Sequence, residues 1–169
     1  MSKAKKKFDA AMTQFASQSF DKSIDLFNEA IAVDPEFKMA IKSRGAAYMR
    51  LGNIPDALAD FNRVIELDPQ NAQAYHLRGL AYEKAGEYTE ALTDLSKAIE
   101  INPEYGAAYY SRANLYAKIG DTDQAAEDAA MVTQLTEVNI ETFGGENNIW
   151  RSRQLQLETV SNHNLTMKR

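Results

Sequence analysis

Cysteine is absent from the chain, which excludes disulfides, thiolate chemistry and cysteine-ligated zinc. Only two histidines occur, His76 and His163, and neither has a companion at metal-ligand spacing on the same helix, so no metal site is expected. No apolar run is long enough to span a bilayer. The basic start, MSKAKKKFDAAMTQF, leads into no apolar stretch of the kind a secretory signal needs. The expectation is a cytoplasmic protein without a membrane span.

Positive charge is also in short supply. Lys and Arg number 19 against 24 Asp and Glu, a net charge of -5 over 169 residues, which argues against nucleic acid as a main ligand because phosphate binding needs a concentrated positive surface. Much of the positive charge sits at the ends, in Lys3, Lys5, Lys6 and Lys7 and in Lys168 and Arg169, so the body is more acidic than the total. The opening cluster reads as a solvated end; as a docking patch for an acidic partner or membrane it would need a second signal.

The usual marks of catalysis are missing too. Gly144-Gly145 is not followed by the Lys-Ser/Thr of a phosphate-cradling loop, and the Ser and Thr residues have no His–Asp context to activate them. No nucleophile, base or cofactor site stands out, and the chain is read as non-enzymatic with no cofactor.

What is present is repetition. Prolines 35, 69 and 103 are spaced by 34 residues, as are glycines 52, 86 and 120. The phrases LFNEAIAVDP, DFNRVIELDP and DLSKAIEINP precede the three prolines. A period of this length marks stacked supersecondary units. Within each unit the apolar spacing is helical: Ile41, Arg44/Gly45, Tyr48, then Tyr75, Arg78/Gly79, Tyr82, then Tyr109, Arg112/Ala113, Tyr116. A second helix follows each glycine, with Ala57, Ala91 and Ala125 near its start and large apolar residues after. Small residues Gly45 and Gly79 let the two helices approach closely, Gly52, Gly86 and Gly120 end the first helix, and Pro55 fits the first turn of a second helix. The prolines at 35, 69 and 103 stop the second helix.

This pattern resembles the tetratricopeptide repeat family, whose unit is a 34-residue helix–turn–helix. The resemblance places units at 4–37, 38–71, 72–105 and 106–139, inside an array spanning 1–145. It implies an all-α, right-handed solenoid of about four repeats. Unit one departs by carrying Lys7, Gln14 and Gln18 where the others have an aromatic or aliphatic residue, Tyr and Gly, and unit four has Glu137 in place of the closing proline. Atypical terminal repeats are expected of a solenoid.

Arg44, Arg78 and Arg112 each precede an aspartate by 16 residues, Asp60, Asp94 and Asp128. An ion pair within each unit is expected, structural and not catalytic. Unit one has Ala10 and Leu26 at these positions, both partners missing together, as the cost of an unpaired buried charge requires.

In the resembling family the first helices of successive repeats line a concave face. The corresponding stripe here contains Phe8, Met12 and Phe15, then Met39, Lys42 and Met49, then His76 and Leu80, then Tyr110 and Asn114. These are the candidate peptide-groove residues, oily in the first two units and more polar later, with His76 a groove contact or a solvated helix residue. Methionine suits adaptable binding surfaces. Family members that grip the C-terminal carboxylate of heat-shock chaperones use Lys and Asn, then Asn, then Lys and Arg. The corresponding positions hold Phe8 and Met12, Ser43, and Gln73 and Leu77; a register one repeat later matches only at Lys42. The chain is not expected to be a carboxylate clamp.

After unit four the second helix is expected to continue through Met131, Leu135, Val138 and Thr142 until Gly144 and Gly145 break it. A last amphipathic helix, 146–161, carries Trp150, the single tryptophan, with Ile149, Arg153, Leu157 and Val160 on one side. It reads as a cap on unit four or as a segment docking in a groove, its own or a second copy's; residues 162–169 read as a flexible tail. The favoured function is a protein-binding adaptor or scaffold that takes a peptide segment or helix in its groove. The alternative is an assembly or chaperone-like protein that self-associates or holds a larger folded partner.

Overall fold

The computed structural model describes residues 2–146, eight α-helices with no strand among the described residues. In order they are α1 (Lys3–Ala16), α2 (Phe20–Val33), α3 (Lys38–Leu51), α4 (Ile54–Leu67), α5 (Ala72–Ala85), α6 (Tyr88–Ile101), α7 (Gly106–Ile119) and α8 (Thr122–Glu146). Each helix packs on the next in sequence, and α1, α3, α5 and α7 also touch one another in turn. The result is an all-α helical-repeat solenoid with the odd-numbered helices as one layer and the even-numbered helices as the other.

Local chemistry sets the boundaries. Gly52, Gly86 and Gly120 stand at φ of 80°, 84° and 88°, a left-handed conformation that glycine adopts without a Cβ clash. In the first repeat the same place is taken by Gln18 at φ 60°. Asn53 and Asn71 cap α4 and α5 by accepting from the backbone N–H groups of Asp56 and Ala74. Asp34, Asp68 and Asn102 end the second helices in extended or near-extended backbone, as the residue before a proline prefers.

The core is periodic as well. Phe27, Phe61 and Leu95 occupy one repeat position and are fully buried, as are Ala40, Ala74 and Ala108 at another. Burying a side chain of the first kind stabilises by about 1.5–3 kcal/mol. The alanines keep the helices close enough to make that burial complete. Gly45 serves the same end: a Cβ built there would lie 2.8 Å from Phe61 Cε1.

The lysines of the opening cluster lie, exposed or half-buried, on the first two turns of α1, which Ser2 caps by accepting from the Lys5 N–H at 3.1 Å. Lys5 pairs with Asp9 and Lys7 with Glu29 on α2. One expectation is corrected here: Gly144 and Gly145 do not break the last helix, since α8 runs through both to Glu146. Glycine weakens a helix interior by about 1 kcal/mol per residue but keeps its N–H and reaches helical angles freely. The expected Trp150 helix and the tail, from 147 onwards, lie outside the described residues.

Candidate functional site

The three arginines organise the joints between repeats. Arg44 donates from Nε and Nη2 to Asp60 at 2.9 and 2.6 Å, Arg78 to Asp94 at 2.7 and 2.7 Å, and Arg112 to Asp128 at 2.8 and 2.8 Å. The three aspartates are buried. Hydrogen bonding to its aspartate raises the pKa of each guanidinium above the ordinary value, so each arginine is held charged. The remaining Nη1 of each arginine reaches back to the preceding repeat, to Asn28 at 2.6 Å, Asn62 at 2.7 Å and Ser96 at 2.9 Å. The sequence reading missed these three partners, although they too are 34 residues apart. Tyr75 and Tyr82 flank Arg78, and Tyr109 and Tyr116 flank Arg112, with ring centroids between 5.4 and 5.9 Å from the guanidinium carbon.

The stripe of candidate groove residues is divided by the structure. Met12 and Met39 are 37% and 51% exposed, and Tyr110 is 60% exposed. Asn114 is exposed; Phe15, Lys42, Met49 and Leu80 are half-buried. Phe15 stands edge-on to Phe20 at 5.4 Å, and Met49 packs beside Ala57 and Phe61.

Phe8 and His76 are not groove-facing, which corrects two of the candidate assignments. Phe8 is buried among Phe27 and Phe37, its ring 5.9 and 5.1 Å from theirs. His76 is buried against Tyr105, also at 5.1 Å. The cause is shared. Phe37 and Tyr105 stand immediately before α3 and α7, and each lies over the residue 29 positions earlier, Phe8 on α1 and His76 on α5. Position 29 after Tyr110 falls inside α8, where no further first helix begins, and Tyr110 is open.

His76 lies in a small polar network. The Ser111 hydroxyl donates its single hydrogen to the Ala107 carbonyl at 2.9 Å, so His76 Nε2–H donates to Ser111 Oγ at 2.8 Å. Nδ1 then accepts from the Tyr105 hydroxyl at 2.9 Å. Burial pushes the imidazole pKa down and the Tyr105 hydroxyl pKa up, both favouring the neutral groups this network needs.

Between α1, α3 and α5 lies a hollow of about 180 Å³. Met12 and Phe15 form one wall, Lys42, Ser43 and Ala46 the middle, and Gln73 and Leu77 the far wall. It is built only from first helices and spans three repeats. Lys42 donates to Gln73 Oε1 across it, and burial pushes the ammonium pKa down. Larger but more open depressions, of about 640 and 250 Å³, lie on the α5–α6 side around Arg78 and Asp94. Their chemistry is already spent on the arginine joint. Among the described residues no group of three or more His, Asp or Glu could hold a metal ion, and no helix is long and apolar enough to cross a membrane.

Comparison with known proteins agrees with this architecture. The model of the family described as tetratricopeptide repeat matches residues 8–72, 43–105 and 76–135. Among solved structures, MamA (41 to end) from Desulfovibrio magneticus RS-1 is similar with a TM-score of 0.73 and 21% identity over 80% of this chain and 76% of that one. TTC0263, a thermophilic TPR protein of Thermus thermophilus, has a TM-score of 0.71 and 21% identity over 79% and 75%. The first TPR of Spaghetti (RPAP3), bound to the HSP90 peptide SRMEEVD, has a TM-score of 0.66 and 24% identity over 69% and 93%. At these identities the likeness is one of fold. No curated protein matches the chain.

Proposed function

From the premise that this chain belongs to the tetratricopeptide repeat family, we propose that it is a non-catalytic adaptor whose first helices take a segment of a partner protein. The observation that carries the reading is the hollow spanning α1, α3 and α5, lined by the exposed Met12 together with Phe15, Ala46 and Leu77. Exposed apolar side chains gathered at a concavity are the ordinary mark of an interaction site. Met12, Met39, Lys42, Met49, Leu80, Tyr110 and Asn114 remain the contact candidates, with Phe15 at the edge. Phe8 and His76 act as supports beneath them.

The Spaghetti (RPAP3) repeat holds a peptide of HSP90. This chain is read as unsuited to a terminal carboxylate, because Met12, Ser43, Gln73 and Leu77 offer a hydroxyl and an amide where a clamp needs cationic donors. The test is a cross-linked pull-down from native extract with wild type and the Met12→Glu/Leu80→Glu double variant, both first shown equally folded by circular dichroism. A partner held by wild type and lost by the variant supports the groove. The same partner held by both moves the working surface elsewhere.

Self-association is the second reading, and the open Tyr110 at the last repeat favours it. Sedimentation of wild type and Tyr110→Glu tests it: a concentration-dependent dimer lost in the variant supports it, and a monomer throughout rejects it.

A further inference from the structure

We infer that the hollow between α1, α3 and α5 receives one aromatic or branched aliphatic side chain of an internal partner segment, and that an acidic side chain one or two residues along that segment pairs with Lys42. The inference rests on the groove reading above and narrows the partner's chemistry.

Size comes first. A hollow of about 180 Å³ is comparable to the roughly 150 Å³ cavity that accommodates benzene, so it suits a single ring or a leucine-sized chain. Its walls are apolar where they face one another: Met12 and Phe15 from α1, Ala46 from α3, Leu77 from α5. Met12 is exposed and unbranched, able to settle on either shape of guest.

Charge supplies the second half. Lys42 is the one ionisable residue lining the hollow. Its hydrogen-bond partner there is a neutral amide, Gln73 Oε1, and among the described residues no carboxylate forms a salt bridge with it. The acid whose field it feels, Asp68, is held by Lys38 at 3.0 Å and by Asn71 at 3.2 Å. A half-buried ammonium beside apolar walls attracts a carboxylate more strongly than one on an open surface, and repels a basic partner. An internal segment fits better than a chain end. Lys42 is the single cation lining the hollow, and Ser43 and Gln73 add only neutral donors, whereas a terminal carboxylate is held best by several cationic donors.

The experiment is selection of a random dodecapeptide library, displayed on phage with its C-terminus fused to the coat protein, against the full chain. Wild type, Lys42→Met, Ala46→Phe and Met12→Glu/Leu80→Glu serve as baits, each checked for fold by circular dichroism. Wild type is expected to enrich peptides pairing an aromatic or leucine-like residue with Asp or Glu one or two residues away. In a synthetic peptide of the enriched sequence, acid-to-amide replacement should weaken binding to wild type by about 5–10-fold, of the order of a single favourable ion pair. Lys42→Met should abolish that difference, and Ala46→Phe should lose the peptide. Enrichment of basic or uncharged motifs, an acid preference that survives Lys42→Met, or no enrichment at all overturns the inference. Peptides lost by Met12→Glu/Leu80→Glu yet indifferent to Lys42 overturn it while leaving the groove reading standing. Peptides held equally by that double variant count against both.

Discussion

Arg78 reaches the side-chain oxygen of Asn62 at 2.7 Å while its other two nitrogens hold Asp94. One guanidinium therefore joins three helices, α4 of the second repeat and both helices of the third. Arg44 and Arg112 do the same for their neighbours. In a solenoid, stability is approximately the sum of repeat terms and nearest-neighbour interface terms. The arginine contributes to both, and the two contributions can be separated by choosing which partner to remove.

Asp94→Asn breaks the contact within the repeat. The carboxylate is 6% exposed and the arginine side chain 20%, so the loss is placed somewhat below the figure for a fully buried pair, at about 2–4 kcal/mol. Asn62→Ala removes only the exposed inter-repeat bond and is expected to cost about 0.5–1.5 kcal/mol. Urea unfolding followed by circular dichroism measures both. The two variants unfolding at the same midpoint as wild type would reject a stabilising role for the joint.

Gln18 is the one described residue other than glycine at positive φ, standing where the later repeats have Gly52, Gly86 and Gly120. A side chain in that conformation carries a Cβ clash that glycine lacks. Gln18→Gly should therefore stabilise the chain by about 0.5–1 kcal/mol net of the extra freedom it gives the unfolded state. Gly86→Ala should do the reverse by a similar amount. Thermal melts of the pair are expected to move in opposite directions, and a fall in the Gln18→Gly melting temperature rejects the argument.

The period, the turns and the arginine–aspartate spacing were readable from the chain because each follows from contacts within one helical hairpin. The places where the reading fell short involve contacts from outside the helical hairpin or competition between weak preferences. A helix wheel puts Phe8 and His76 on the groove stripe, yet the residues that cover them, Phe37 and Tyr105, stand outside the hairpin, in the connections that lead into α3 and α7. The intervening unit has Asn71 at that position, so the aromatic signal skips a repeat and does not announce itself as periodic. Asn28, Asn62 and Ser96 escaped notice for a related reason: small polar residues on a second helix, exposed at 28 and 62 and half-buried at 96, look like ordinary surface until the arginine of the next repeat is placed beside them. At Gly144-Gly145 the breaker rule met a helix that continued, because glycine only weakens a helix where proline would stop it.

His76 should make stability depend on pH. Burial lowers its folded pKa below the ordinary value of 6.5, so the unfolded chain binds the proton more readily. The contribution is fully present above pH 6.5 and is lost as pH falls below it and through the lowered folded value. The incoming proton would also land on Nδ1, where the Tyr105 hydroxyl now donates. The double variant His76→Phe/Tyr105→Phe copies the Phe8–Phe37 pair and removes both polar groups together, leaving Ser111 bonded to Ala107. Its urea midpoint should be close to that of wild type at about pH 7.5 and should exceed it at about pH 5.5. Parallel pH profiles for the two proteins would show that His76 contributes no linkage.

Gly45 sets two physical effects in opposition. Alanine is favoured over glycine within a helix by about 1 kcal/mol, so on helix propensity alone Gly45→Ala in α3 should stabilise. The added methyl, however, would lie 2.8 Å from Phe61 Cε1 and 3.1 Å from Asp60 Cβ, and Phe61 is fully buried with no room to retreat. Overpacking of this kind costs about 1–3 kcal/mol, which exceeds the propensity gain over most of that range. Gly45→Ala is therefore expected to destabilise, and Phe61→Leu in the same chain, which withdraws the ring edge, should recover part of the loss. A double-mutant cycle in urea reads the coupling directly. If Gly45→Ala raises the midpoint, the close approach of α3 and α4 is not what this glycine provides. If it lowers the midpoint and Phe61→Leu offsets part of the fall, the contact between the two residues is what excludes a side chain at position 45.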